Sequence, residues 1–274
     1  MSLNRRPASA KLNLALVVGP RRADGRHELT TIYQRVDLAD RVALEPASRL
    51  AVDGFREDTL VRSALEALAQ AACVLPRWRA RIWKQIPASA GLGGGSSDAA
   101  TALRLANATL AEPLPDDRLH VLARVLGADV PFFLTAGPQL GVGDGAELSP
   151  LELPQDYWVV LVLPNGAEKQ STASVYEAFD GRGGATGYRN RRAALRRALA
   201  DVRRPSDLAA LPPNDLASSP LATELRALGA FRADVTGAGP AVYGLFQHRA
   251  QAQEAAEALS PRGRTWLTVP TWYG

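Results

Sequence analysis

The sequence predicts an α+β protein of two domains, and three observations predict it. A strand, a glycine-rich loop and a helix follow one another in the first half. Strands and helices alternate through the second half. Between the halves, Leu148 to Gln155 contains two prolines and marks a boundary near residue 152. The 274 residues divide there into 1–152 and 153–274, in keeping with roughly 100–200 residues per domain.

Each element has a local reason. Lys11 to Val18 (K-L-N-L-A-L-V-V) alternates as a strand. Gly19 to Arg26 is a Gly/Pro/Arg turn, and Glu28 to Leu38 is the returning strand. Val42–Leu44 and Leu50–Val52 are short strands. Leu60, Ala64, Leu65, Leu68 and Ala72 recur at helical spacing, predicting a helix over 59–74 capped by Asp58 or Thr59. Arg79 to Ile86 is a strand ended by Pro87. Helices follow from about Ser96 to Leu110 and from Asp116 or Asp117 to Leu126. Gly127 to Phe133 reads as a turn into an extended segment. Tyr157 to Leu163 is a buried strand, and Gly181 to Gly187 a mobile glycine-rich loop. Helices are expected over 189–202 and 220–229. A strand, a turn at Gly237-Ala238-Gly239 and a second strand come next, then a helix over 249–259 and a last strand over 264–269.

Composition excludes several chemistries. One cysteine, Cys73, permits no intramolecular disulfide and no Cys-rich zinc site, which suits a reducing cytoplasm. The N-terminal apolar run is broken by Lys11 and Asn13, unlike a secretory leader, and no stretch is long and apolar enough to span a membrane. The pI is near 9.5 but the net charge is only +4, because arginine replaces lysine almost everywhere. Only Lys11, Lys84 and Lys169 are lysines. The pI is therefore only a weak argument for nucleic acid as a partner. The densest basic run, Arg189 to Arg204, is either a solvated helix face or an anion patch, and it lacks interleaved aromatics for base stacking.

Pro87-Ala88-Ser89-Ala90-Gly91-Leu92-Gly93-Gly94-Gly95-Ser96-Ser97 joins a strand to a helix. Glycines let backbone N–H groups approach an anion, and a helix N-terminus attracts phosphate. A plain turn before a helix would look the same. No lysine follows the loop as in a Walker motif, and Ser96 stands where a dinucleotide fingerprint needs its last glycine.

This loop resembles the central motif of the GHMP small-molecule kinases, P-x-x-x-G-L-G-S-S/G-G-S-S. Pro7 to Leu14 resembles their P-x-K-x-N-L motif with one residue inserted, and Val235 to Gly244 their T-G-x-G-x-x-V-F motif. Arg22 to Leu29, the triple glycine, Leu126 to Phe133 (L-G-A-D-V-P-F-F) and Asn214-Asp215-Leu216 resemble one branch of that family. That branch phosphorylates a tertiary hydroxyl of a cytidine diphosphate-linked methylerythritol in the non-mevalonate route to isoprenoids.

The resemblance implies a two-domain GHMP kinase fold. Its N-terminal mixed α/β domain carries the phosphate loop, its C-terminal domain is ferredoxin-like, and the active site lies in the cleft between. It implies ATP as phosphoryl donor, Mg2+, a small-molecule substrate, a cytoplasmic location, and a monomer or weak homodimer binding neither membrane nor nucleic acid. By resemblance Asp129 is the base and Lys11 its electrostatic partner. Residues Pro87 to Ser97 hold the nucleotide with help from Lys84, which precedes them. Ser96 and Ser97 either cap the helix or touch phosphate, and Ser97 is the candidate for magnesium. Asn13, Arg26, His27, Thr172, Tyr176, Gly237, Ala238 and Gly239 are candidates for the substrate. His27 could read a cytosine edge, Tyr176 could stack on it, and Arg26 stands where the family has tyrosine, with a guanidinium plane that can also stack. The Gly143-Asp144-Gly145-Ala146-Glu147 run departs from the family's G-x-G-E by one position. The competing readings are a mevalonate-type or homoserine kinase, and a non-catalytic ATP- or RNA-binding protein of the same fold.

Overall fold

The computed structural model describes residues 4–55, 60–167 and 171–271. Lys169 and the helix-capping candidates Asp58 and Thr59 lie outside the described residues. The chain opens with two long antiparallel strands, β1 (Asn4–Arg21) and β2 (His27–Pro46). β2 joins into one strand the two pieces expected over 28–38 and 42–44. Asp40, which looks like a break in the sequence, is fully buried. Its carboxylate accepts the Ile86 N–H at 2.8 Å and pairs with Lys84. A buried carboxylate is tolerable only when so satisfied.

Then follow β3 (Ala51–Asp53), α1 (Leu60–Ala71), β4 (Trp78–Trp83), α2 (Gly94–Asn107), α3 (Asp116–Leu126), and the hairpin β5 (Gln139–Gly143) and β6 (Glu147–Pro150). β2 pairs with β4 through Arg41–Pro46 and with β5 through Leu29–Tyr33, giving a six-stranded sheet. The expected linker over 148–155 is shorter than it reads, because residues 148–150 belong to β6. The segment after Val130 is not extended. Pro131 takes the first position of a 3-10 turn, Pro131–Leu134, where its missing N–H costs nothing. The turn buries Phe132 and Phe133.

Past Pro150 the chain crosses to a second sheet. Its elements are β7 (Trp158–Pro164), α4 (Thr172–Gly181), α5 (Tyr188–Ala200), α6 (Pro220–Ala227), β8 (Arg232–Val235), β9 (Val242–Phe246), α7 (Arg249–Leu259) and β10 (Gly263–Thr268). The strand order β10-β7-β9-β8, antiparallel throughout, is ferredoxin-like. α4 has little sequence signature, since only Val175 and Phe179 on it are buried. Ser171 starts it by accepting the Ser174 N–H at 3.0 Å. Residues 181–187, expected to be a mobile loop, form hydrogen-bonded turns, with Gly183 and Gly184 N–H groups donating to Asp180 and Phe179 carbonyls.

The two sheets share a core. Leu12, Leu14 and Ile32 of the first pack in one cluster with Val159, Leu161, Tyr243 and Leu245 of the second. A large apolar contact of this kind holds the two halves in one relative position, so the groove between them has fixed walls.

Candidate active site

The groove is a cleft of about 890 Å3. Its floor is set by the two-residue period of β1, which puts Lys11 and Asn13 on one face. Lys11 is almost fully buried. Its Nζ donates to Asn13 Oδ1 at 2.6 Å and stands 3.4 Å from Asp129 Oδ2. Asn13 is held in turn: its Nδ2 donates to Thr31 Oγ1 at 2.8 Å and its backbone N–H to Thr236 Oγ1 at 3.0 Å. Asp129, part-exposed to the cleft, also accepts from Tyr33 OH at 3.2 Å. Burial, reinforced by the Asp129 charge, holds the Tyr33 phenol well above its ordinary pKa, so it remains a donor at neutral pH. The sequence reading missed Tyr33, and it quoted Thr236 within the C-terminal motif without giving it a role. Nothing marks Tyr33 except the register that sets it opposite Asn13.

The glycine-rich loop closes the next wall. α2 begins at Gly94, two residues earlier than expected, and Gly93 is its N-cap in the left-handed region. Ser96 and Ser97 therefore lie inside the first turns and do not cap the helix by side chain. Ser97 N–H donates to Gly93 O, while the helix start before it leaves backbone N–H groups unmatched within the helix. No acidic residue occupies the first turn, so the end keeps its anion-attracting character. Gly91 has φ +80°, and a Cβ there would stand 2.2 Å from Thr236 O. At Gly93 a Cβ would meet Lys11 Cγ at 2.9 Å. Glycine is required at both because this loop touches both sheets.

Of the loop, Ser89, Gly91, Gly93 and Ser96 line the cleft. Ala90 and Leu92 are buried in the shared core, and Pro87, Ala88, Gly94 and Gly95 do not border the cleft. Two expectations change. Ser97, the candidate for magnesium, is buried and borders a separate cavity behind α2. Lys84 does not reach the cleft: its ammonium is clamped between Asp40 and Asp98, the latter at 2.8 Å, with both carboxylates fully buried. Burial pulls the Lys84 pKa down, but Asp98 and Asp40 outweigh it and leave the pKa raised.

At the far end lie Arg26, His27, Thr172 and Tyr176. His27 Nε2 is 2.8 Å from Asp180 Oδ1, and its ring is stacked on Tyr176 at 4.7 Å between centroids. Asp180, which also accepts from Arg21 at 2.8 Å, is held below the usual carboxylate range by the His27 bond first and Arg21 second. With Nε2–H donating to Asp180, Nδ1 is left as an acceptor. Arg26 Nη1 donates to Asp144 Oδ2 at 2.6 Å. Burial pushes the Asp144 pKa up, but the Ala146 N–H and Arg26 outweigh it and hold it down. Asp144 lies in the run noted only for its displaced spacing. Asp180 carried no sequence signal, because nothing local links it to a residue 153 positions away.

Gly237, Ala238 and Gly239 form the last wall. Asn214 Nδ2 donates to the Val235 and Gly237 carbonyls at 3.0 and 2.7 Å, and Asp215 accepts the Val18 N–H at 2.8 Å. The N-D-L run thus straps this loop to β1. Arg191, from the basic run, completes the strap by donating to Asp215, Val18 and Gly184. The other arginines from 189 to 204 lie exposed, apart from the half-buried Arg192. Among the described residues, no group of three or more His, Cys, Asp or Glu could hold a metal by itself, and no helix is long and apolar enough to cross a membrane.

Comparison with known proteins agrees with the fold. The family described as GHMP kinases N terminal domain matches residues 59–137, and GHMP kinases C terminal matches residues 192–264. The chain is 36% identical to 4-diphosphocytidyl-2-C-methyl-D-erythritol kinase of Geobacter sulfurreducens, covering 96% of each chain. It is 38% identical to the enzyme of that name from Moorella thermoacetica, over 92% of this chain and 93% of that one. A crystal structure of 4-(cytidine 5'-diphospho)-2C-methyl-D-erythritol kinase superposes with a TM-score of 0.80 at 34% identity, covering 98% of this chain and all of that one. A mevalonate kinase structure superposes at 0.73 with 13% identity, a likeness of fold alone.

Proposed function

The chain belongs to the 4-diphosphocytidyl-2-C-methyl-D-erythritol kinase family of the GHMP kinases, and on that premise we propose that it carries out that family's reaction. It transfers the γ-phosphoryl group of ATP to the 2-hydroxyl of 4-diphosphocytidyl-2-C-methyl-D-erythritol, in the non-mevalonate route to isoprenoid precursors. The observation that carries the reading is the Lys11–Asn13–Asp129–Tyr33 cluster facing the glycine-rich loop across one cleft.

The reaction needs an oriented hydroxyl, an acceptor for its proton and a clamp for the charge on the transferring group. Asp129 accepts the proton as the new O–P bond forms and ADP leaves. Tyr33 and Lys11 hold Asp129 in place, and Lys11 offsets negative charge developing beside it. Asn13 fixes the Lys11 ammonium. The loop from Pro87 to Ser97 cradles the nucleotide phosphates at the start of α2. Lys84 supports the loop from beneath and does not touch nucleotide.

The donor set suits a magnesium ion that arrives with the nucleotide. Such an ion takes one or two protein oxygens and draws the rest from phosphates and water. Ser89, Ser96 and Asp129 border the loop side of the cleft and would supply those oxygens, whereas Ser97 lines the cavity behind α2. When bound, the ion neutralises charge on the phosphates.

Cytosine lies between Arg26 and Tyr176. His27 accepts from its amino group through Nδ1, and Thr172 lies alongside. Gly237, Ala238 and Gly239 bring backbone close to the reacting end. The division at 1–152 and 153–274 is proposed as the domain boundary, in keeping with the passage from one sheet to the other. A cytoplasmic monomer or weak homodimer without nucleic acid fits a single exposed cysteine and an arginine run partly spent on the strap. The deciding experiment is ADP release with the cytidine substrate against mevalonate and homoserine. Turnover of the cytidine substrate alone is expected, and turnover of the others alone would overturn the assignment.

A further inference from the structure

A second cavity, of about 430 Å3, lies on the face of α2 turned away from the cleft. That volume is within the range of small-molecule sites, roughly 300–1,000 Å3. Arg6, Arg35 and Arg104 line it together with the hydroxyl residues Ser9, Ser97 and Thr101, and no carboxylate does. None of the three arginines forms a salt bridge with a described carboxylate. Arg35 is only 2% exposed. Its Nη2 donates to Phe132 O at 2.7 Å, while its Nη1 is buried with no hydrogen-bond partner among the described residues. The rings of Phe132 and Phe133 lie 4.9 and 5.8 Å from the guanidinium. Those contacts ease its burial but cannot take up an N–H donor. Burial, and then the like charge of Arg104, lower the Arg35 pKa to about 10, so it remains a cation at neutral pH.

A buried cation without a counter-ion is costly unless something compensates it. Three guanidinium groups lining one cavity, Arg104 with one N–H already on Leu134 O, and nearby hydroxyls are suited to tetrahedral oxyanions. We propose that this cavity is a binding site for a phosphate-type oxyanion, free or as the end of a small metabolite, held by Arg6, Arg35 and Arg104. It is separate from the cleft and independent of the kinase assignment, because α2 and the Pro131–Leu134 turn stand between the two.

The test uses the full chain and inorganic phosphate and diphosphate, with chloride at matched ionic strength as the reference. Binding is followed by titration calorimetry and thermal unfolding. A saturable rise in Tm is expected with at least one of the two anions. The double variant Arg6→Gln/Arg104→Gln should weaken that binding about tenfold or more, since each lost contact is a hydrogen bond to a charged group. Arg35→Met should fold with unchanged or higher Tm in chloride and lose the response to the anion. If Arg35→Met does not fold, the double variant decides. A response no greater than that of chloride would overturn the proposal. So would a response that survives in the double variant, or an Arg35→Met loss of Tm that is the same with and without the anion.

Discussion

Lys11 Nζ lies 3.4 Å from Asp129 Oδ2, one residue on β1 and the other in the turn between α3 and Pro131. Both line the cleft, and in the proposed reaction the hydroxyl and the terminal phosphate meet beside them. If Asp129 is the proton acceptor, Asp129→Asn should lower kcat by roughly 10²–10⁴ with little change in fold or nucleotide affinity. Steady-state ADP release and a thermal melt check both halves, and near-wild-type turnover would remove Asp129 from that role.

Lys11→Arg should also lose most activity. The lysine stem already runs past Gly93, and the ammonium is enclosed by Asn13, Asp129 and the Tyr33 ring at 5.6 Å. A planar guanidinium has a different shape and cannot reproduce that compact point charge. A folded variant with turnover within a few-fold of wild type would show that any cation suffices.

Gly91→Ala tests the junction of the loop with the second sheet. The methyl would stand 2.2 Å from the Thr236 carbonyl at a residue with φ +80°. Strain of about 1–3 kcal/mol is expected from the backbone alone, more with the clash. A fall in the denaturant midpoint, accompanied by a rise in KM for ATP, is the expected result.

Arg26→Ala should raise KM for the cytidine substrate and leave kcat nearly unchanged. It removes a stacking surface, worth about 1–3 kcal/mol where bases stack on side chains, and no group at the reacting centre. Turnover of ATP at saturating substrate separates the two parameters. An unchanged KM would mean that Arg26 serves only Asp144.

Lys84→Met leaves Asp40 and Asp98 buried without their shared cation, at a cost of about 3–5 kcal/mol. The Lys84 pKa is raised in the folded state, so its stabilisation is fully present below the unfolded lysine value, about 10.4, and fades as pH rises through the folded value. The stability difference between wild type and variant should therefore be constant near pH 7 and shrink only at strongly alkaline pH. Denaturant midpoints measured across that range check the sign.

Much of this was legible locally. The helices expected over 59–74, about 96–110, 116–126 and 249–259 are present with ends shifted by up to three residues, and the strand at Tyr157 to Leu163 follows from an unbroken apolar run. α4 was not legible because it buries only two side chains. The single long β2 was hidden because Asp40, polar and buried, imitates a break. Lys84 reads as a nucleotide ligand from its position before the loop, and only the fold reveals two carboxylates already waiting for it.

The glycine loop can be read from residue types at short spacing, and the motifs around it carry the family resemblance that singles out Lys11, Asp129 and His27 as candidates. Tertiary structure alone decided which of them share a cleft and what completes them. Tyr33 on Asp129, Asp180 on His27, Asp144 on Arg26 and Thr236 on Asn13 are pairings between segments far apart in the chain. So is the choice between Ser96 and Ser97. They are neighbours in sequence, but the 100° turn of a helix sends one to the cleft and the other to the cavity behind it. Hydrogen bonding and charge act over a few ångströms, and sequence separation does not encode that distance.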